Sequence, residues 1–178
     1  MKTKSLIYFI VGLALILTGC SCENNDVQES DIQATTLKAG ATQINGIGYY
    51  AEETDCDYTA AGADFALGMS GDLEGCLYVF VEDYGCTPSG IYLESGTEIF
   101  TGYYKGEYGT FVTTYKFEAK YEGCSEDGFF LGAEIFGRCQ HPVVKGSGTG
   151  VFEGVTGRIN FVDDVVTMEF PYKGHLKY

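Results

Sequence analysis

The chain has 178 residues, with 25 acidic against 11 basic side chains and a formal net charge of −14. An apolar fraction of 45% is that of a folded protein, which excludes wholesale disorder, and the length suits one domain with a sizeable core. So large an acid surplus repels phosphates, which excludes nucleic acid as a partner.

The first element is an address. Lys2 and Lys4 form a charged n-region, and residues 6–17 form an apolar run of twelve, short of the roughly twenty residues that cross a bilayer. The run ends in Leu17, Thr18, Gly19 and Cys20, which resembles the lipobox of bacterial lipoproteins. The resemblance implies a signal peptide over 1–19, cleavage before Cys20 and lipidation of Cys20. The protein would then be held at the membrane through its N-terminal lipid, where several acyl chains hold far better than one. Ser21, in place of the Asp that marks inner-membrane retention in enteric lipoproteins, implies the outer membrane of the cell envelope, on its periplasmic or its outer side. Glu23 and Asp26 place acid just after the anchor, somewhat as in export signals of surface-displayed lipoproteins. Cleavage removes Lys2 and Lys4 and no acid, so the formal charge falls from −14 to −16. Residues 20–43 are small and polar without sustained period and read as a flexible tether, with at most a short helix at 31–37; the folded domain is expected over 44–178.

Beyond the tether, Gly, Tyr, Phe, Val and Thr dominate, a strand-and-turn composition. Strands are predicted at 42–52, 64–83, 90–104, 108–121, 128–138, 143–148, 150–161 and 165–172, with Gly, Asp, Asn and Ser clustered between them. No segment after Leu37 carries helical apolar spacing over three turns. Eight strands so spaced suggest an all-β fold, an antiparallel up-and-down barrel or a sandwich.

Alternation separates an aliphatic set (Leu73, Leu77, Val79, Ile99, Leu131, Ile135) from a mixed set (Glu74, Tyr78, Glu98, Phe100, Glu134, Phe136, Arg138). One set is expected to face the barrel interior and the other solvent; parity alone does not choose. If the mixed set faces inward, those seven residues form the candidate ligand pocket, and Glu74, Glu98 and Glu134 become candidate acids or bases beside aromatic rings. Arg138 follows Glu134 by four residues, which places both on one strand face, ready to neutralise a carboxylate or meet an anion. If that set faces outward, it is ordinary surface.

Six cysteines follow Cys20, and an oxidising envelope favours disulfides. Alternate turns of an up-and-down barrel share a rim. That places Cys86 with Cys124 on one rim and Cys56 with Cys139 on the other, leaving Cys76 mid-strand as a candidate buried thiol and Cys22 on the tether. Cys139 and His141 lack the paired spacing of a zinc site, so no metal is expected and His141 reads as a rim residue. Asp163 and Asp164 read as a solvated turn. Residues 146–150 lack the following helix of a phosphate loop and read as close-packed strands that need glycine.

Three segments carry a second resemblance: residues 71–75, residues 98–112 and the glycine-spaced run 146–157. In order and spacing they are similar to a family of small bacterial proteins related in fold to allene oxide cyclase and in shape to plant dirigent proteins. The resemblance implies a calycin-like eight-stranded antiparallel barrel with a central cavity over about 44–165, and it assigns no catalytic residue and no cofactor. Three functions remain open. The first is a lipid-anchored envelope barrel binding a small, partly apolar ligand or serving as a surface interaction module. The second is a cyclase or isomerase with inward Glu and Tyr, and the third a structural lipoprotein with a filled barrel. A cavity with two or more inward carboxylates favours the second; a dry interior favours the third.

Overall fold

A computed structural model describes residues 40–178. The signal peptide, the lipid-attachment residue Cys20, Cys22, the tether up to residue 39 and the candidate helix at 31–37 lie outside the described residues. The elements are β1 (Thr42–Tyr50), α1 (Tyr58–Ala61), β2 (Phe65–Gly71), β3 (Leu73–Cys86), β4 (Ile91–Tyr104), β5 (Glu107–Cys124), β6 (Phe130–Pro142), β7 (Thr149–Gly150), β8 (Thr156–Val162) and β9 (Glu169–Lys177). Eight of the strands close into an antiparallel up-and-down barrel in chain order, β1-β2-β3-β4-β5-β6-β8-β9, with β9 returning to pair with β1. The short β7 pairs with the start of β5 as an added outer strand. Closure removes the unpaired edges that an open sheet would present.

The expected number of barrel strands is met by two differences that offset each other. Predicted strand 64–83 is a hairpin, β2 turning into β3 at Gly71 and Asp72. Gly71 takes φ 102°, and the Asp72 carboxylate accepts the backbone N–H of Asn45 at 2.7 Å. Predicted strand 143–148 is instead a loop that leaves the wall after β6, and 150–161 is regular only from Thr156. This loop plugs one end of the barrel. It buries Phe152 completely against Phe100 and Phe111, with ring centroids 5.7 and 4.9 Å away. Glycine is needed beneath it: a Cβ on Gly109 would lie 2.8 Å from Phe152 Cδ2 and 2.4 Å from the Thr149 carbonyl oxygen. Leu73, Val155 and Leu176, all fully buried, complete the dry half, each contributing about 1.5–3 kcal/mol by leaving water.

Tyr172 of β9 ties this half together. Its hydroxyl accepts the Leu73 N–H at 2.9 Å and donates to the Ser70 carbonyl at 3.2 Å, so one side chain holds both ends of the β2–β3 turn. The connection between β1 and β2 carries α1, capped by Asp57 and ended by Gly62 at φ 71°, and the Cys56–Cys76 disulfide joins it to β3. The pairing of Cys56 with Cys139 and the reading of Cys76 as a free thiol are therefore corrected. Leu77 and Val79 face inward, which turns Cys76 to the outer wall, where the connection brings Cys56. Cys86 and Cys124 are bonded, as shared-rim geometry predicts.

Candidate functional site

Which face of each strand lies inside is decided strand by strand, so neither predicted set faces inward as a whole. On β3 the aliphatic residues Leu73, Leu77 and Val79 are buried, while Glu74 is exposed and Tyr78 half-buried on the outer face. On β4 the order reverses: Tyr92, Glu98, Phe100 and Tyr104 are buried and Leu93 and Ile99 are exposed. On β6, Gly137, Cys139 and His141 face inward, while Phe136 and Arg138 face out; the Arg138 guanidinium donates to the Glu118 carboxylate at 2.7 Å on the surface. A bulge in the β5–β6 register separates Glu134 from Arg138, and Glu134 stands opposite Tyr121. The expectation that Glu134 and Arg138 share a face is thereby corrected. Of the seven predicted pocket residues, Glu98 alone lines the cavity. Phe100 lies in the packed half, Glu134 meets the cavity's edge through Tyr121 and Asp163, and Glu74, Tyr78, Phe136 and Arg138 are outside.

The other half of the barrel is hollow. A cavity of about 360 Å³ is lined by sixteen residues, nine of them Tyr or Phe. Its size falls within the range of small-molecule sites. The inward residues of β4 and β5 form a ladder whose rungs show how the hollow begins. Phe100 opposite Phe111 belongs to the packed half; Glu98 opposite Thr113 is the next rung; Gly96 opposite Tyr115 and Glu94 opposite Phe117 follow. A Cβ on Gly96 would lie 2.8 Å from the Tyr115 ring, so glycine there lets that ring fold along the wall.

At the floor, Glu98 and His141 are both almost completely buried, and the Glu98 Oε2 atom lies 2.5 Å from His141 Nδ1. The same oxygen accepts the Thr113 hydroxyl at 2.6 Å. Nε2 is buried with no hydrogen-bond partner among the described residues, and in a neutral ring that donates Nδ1–H to the carboxylate it would carry the lone pair. Tyr115 stacks along the imidazole with ring centroids 6.1 Å apart. A carboxylate that orients a histidine and leaves its far nitrogen open is the arrangement of a general base.

Further up, the Glu94 carboxylate accepts two hydroxyls, from Tyr92 at 2.7 Å and from Tyr115 at 2.9 Å. Burial, reinforced by Glu94, holds both phenols well above their ordinary range and therefore neutral. On another side, Asp163 and Glu134 converge over Gly137, where a Cβ would lie 2.4 Å from a carboxylate oxygen of each. Burial first, and then the charge of Glu134, raise Asp163 to about 7. A hydrogen bond toward Glu134 adds to the same shift, and Glu134 Oε1 is buried with no other hydrogen-bond partner among the described residues. Asp163 is therefore a wall residue, which corrects its reading as a solvated turn; Asp164 is exposed and accepts the N–H groups of Val166 and Thr167.

Cys139 also lines the cavity and is unpaired among the described residues. Burial and the neighbouring charges of Glu98 and Asp163 push its thiol up, so it is held as SH and is no nucleophile. Among the described residues no group of three or more His, Cys, Asp or Glu is placed to hold a metal ion. The reading of His141 and Cys139 as rim residues is corrected, since both lie inside the barrel; the predicted strand ended at residue 138, whereas β6 runs to Pro142, and alternation through 137, 139 and 141 was the signal that would have placed them inward.

No protein-family model, curated protein or solved structure matches the chain.

Proposed function

We propose that the protein is a lipid-anchored barrel of the cell envelope that binds a small, partly apolar molecule inside the barrel. The observation that carries this reading is the cavity itself: half the barrel is packed solid by Phe100, Phe111 and Phe152, while the other half leaves about 360 Å³ between aromatic walls. An interior kept hollow beside a solid half argues against the filled-barrel alternative. The anchor rests on the lipobox-like ending at Cys20, and Cys20→Ala is expected to abolish incorporation of labelled palmitate. The binding reading is tested by calorimetric titration with indole against wild type and Val79→Phe, which grows a ring into the cavity. Binding to wild type and its loss in the filled variant support the reading; no binding, or binding that Val79→Phe leaves unchanged, overturns it.

A second reading, a cyclase or isomerase, is favoured by the inward carboxylates and in particular by Glu98, His141 and the open Nε2. In that reading His141 takes a proton from a bound substrate and returns it elsewhere, with Glu98 stabilising the imidazolium. Tyr78, on the outer face, takes no part. Deuterium exchange at the α-carbon of a bound aryl ketone, faster with wild type than with Glu98→Gln or His141→Gln, is the expected signature. Equal exchange in all three proteins removes the enzyme reading and leaves the binding one standing.

A further inference from the structure

The chemistry of the walls narrows the ligand class. We infer that the cavity selects a small organic cation, a protonated amine carried on an aromatic or aliphatic body, held by Glu94, Glu98 and His141 among tyrosine and phenylalanine faces. The inference rests on the binding reading above and adds the sign of the ligand's charge and the place of its ammonium group.

Five observations converge on it. Every formally charged lining residue is acidic (Glu94, Glu98 and Asp163), and no Lys or Arg lines the cavity. An anionic ligand would meet like charge with nothing to offset it, whereas an ammonium would meet opposite charge in a space where water screens little. Nine aromatic rings surround that charge, and ring faces attract a desolvated cation. Glu94 and His141 offer free acceptors. Each Glu94 oxygen takes one tyrosine hydroxyl and retains a further lone pair, and His141 Nε2, on a side chain only 4% exposed, is an unused acceptor beside Glu98. An N–H⁺ group supplies the donors that these acceptors lack; a carboxylate or a hydrocarbon does not. Among the described residues no three His, Cys, Asp or Glu are placed to hold a metal ion, so the inference concerns an organic cation only. The chain's formal charge of −14 draws cations toward the protein from a distance.

Three probes of one shape test this on the purified full-length protein by calorimetry at low salt: 2-phenylethylammonium, propylbenzene and 3-phenylpropanoate. They share a ring and a two-carbon arm and end in a cation, a neutral methyl and an anion. The ammonium is expected to bind at least about tenfold more tightly than propylbenzene, with the anion weakest. Glu94→Gln is expected to cut the ammonium's affinity about tenfold and leave that of propylbenzene within about twofold. If propylbenzene or the anion binds as tightly as the ammonium, the cavity reading survives and the cation inference is overturned. If none of the three binds, both are overturned. If Glu94→Gln fails to fold, the ranking of the three probes on wild type still decides.

Discussion

Asp163 and Glu134 form the clearest energetic liability at the level of single side chains. Two carboxyls over Gly137 cannot both ionise cheaply, and burial with the Glu134 charge raises Asp163 from its ordinary 3.8 to about 7. Between those two pH values the folded chain keeps a proton that the unfolded chain has released, so this pair makes stability fall as pH rises from about 4 to about 7 and stay low above. Asp163→Asn is therefore expected to raise Tm at pH 8 by at least ~2 °C, with the gain vanishing near pH 3.5. Melting curves of both proteins across that range check it, and an equal shift at both ends would rule out the raised pKa of Asp163 as the cause. Glu98 behaves oppositely, because it already satisfies two buried donors. Glu98→Ala strands Thr113 and His141 and is expected to cost about 3–5 kcal/mol in urea unfolding, whereas Glu98→Gln retains an acceptor and costs less. Of this chemistry, Glu98 and its neighbour Phe100 were legible from sequence, because strict alternation along β4 put them together on one face. Asp163 was not, because its burial arises from a partner 29 residues earlier in the chain, on the other side of a loop.

Strand faces are a property of whole elements, and the sequence withholds them for a physical reason. Period-two alternation says which residues share a face, but β3 buries its aliphatic residues and β4 its mixed ones, so each strand has its own answer. Bulges then break even the within-strand rule: the shift between Val81 and Asp83 interrupts β3–β4, and the shifts beside Tyr121 turn Glu134 against Tyr121 while Arg138 faces solvent. The plug loop, residues 143–155, resembles strands in composition and acts as a stopper. If it divides the barrel into dry and hollow halves, Phe152→Ala should do more than lose contacts. The expected cost is about 3–5 kcal/mol, and the cavity should extend into the packed half and admit larger ligands. Unfolding in urea measures the first, and calorimetry with a naphthalene-sized ligand measures the second. Unchanged stability would mean that the loop is not the stopper its burial indicates.

The two disulfides among the described residues act on the molecule as a whole and act differently. Cys86–Cys124 was legible because it follows from topology alone: alternate turns of an up-and-down barrel share a rim, whatever the side chains do. Cys56–Cys76 was not, because it depends on the connection after β1 returning to the barrel wall, which no period in the sequence encodes. The bonds close intervals of 38 and 20 residues, and chain entropy assigns them about 4 and about 3 kcal/mol. Stability should therefore fall in two steps, and paired serine variants should separate them, with Cys86→Ser/Cys124→Ser the more damaging. Their consequences for the hollow half should part company. Cys86 packs against the cluster of Tyr92, Ala119 and Tyr121, and Tyr92 and Tyr121 line the cavity. Tyr121 in turn stacks on Phe130 at 4.2 Å. Releasing this bond frees the rim that holds those rings in place. The Cys56–Cys76 bond joins the outer connection to β3, and neither cysteine lines the cavity. Propylbenzene affinity, measured well below each variant's melting point, should accordingly drop severalfold in the Cys86/Cys124 variant and hold in the Cys56/Cys76 variant. Equal losses would mean that cavity geometry follows global stability alone, and equal retention would mean that the aromatic walls are held by packing without need of the rim bond.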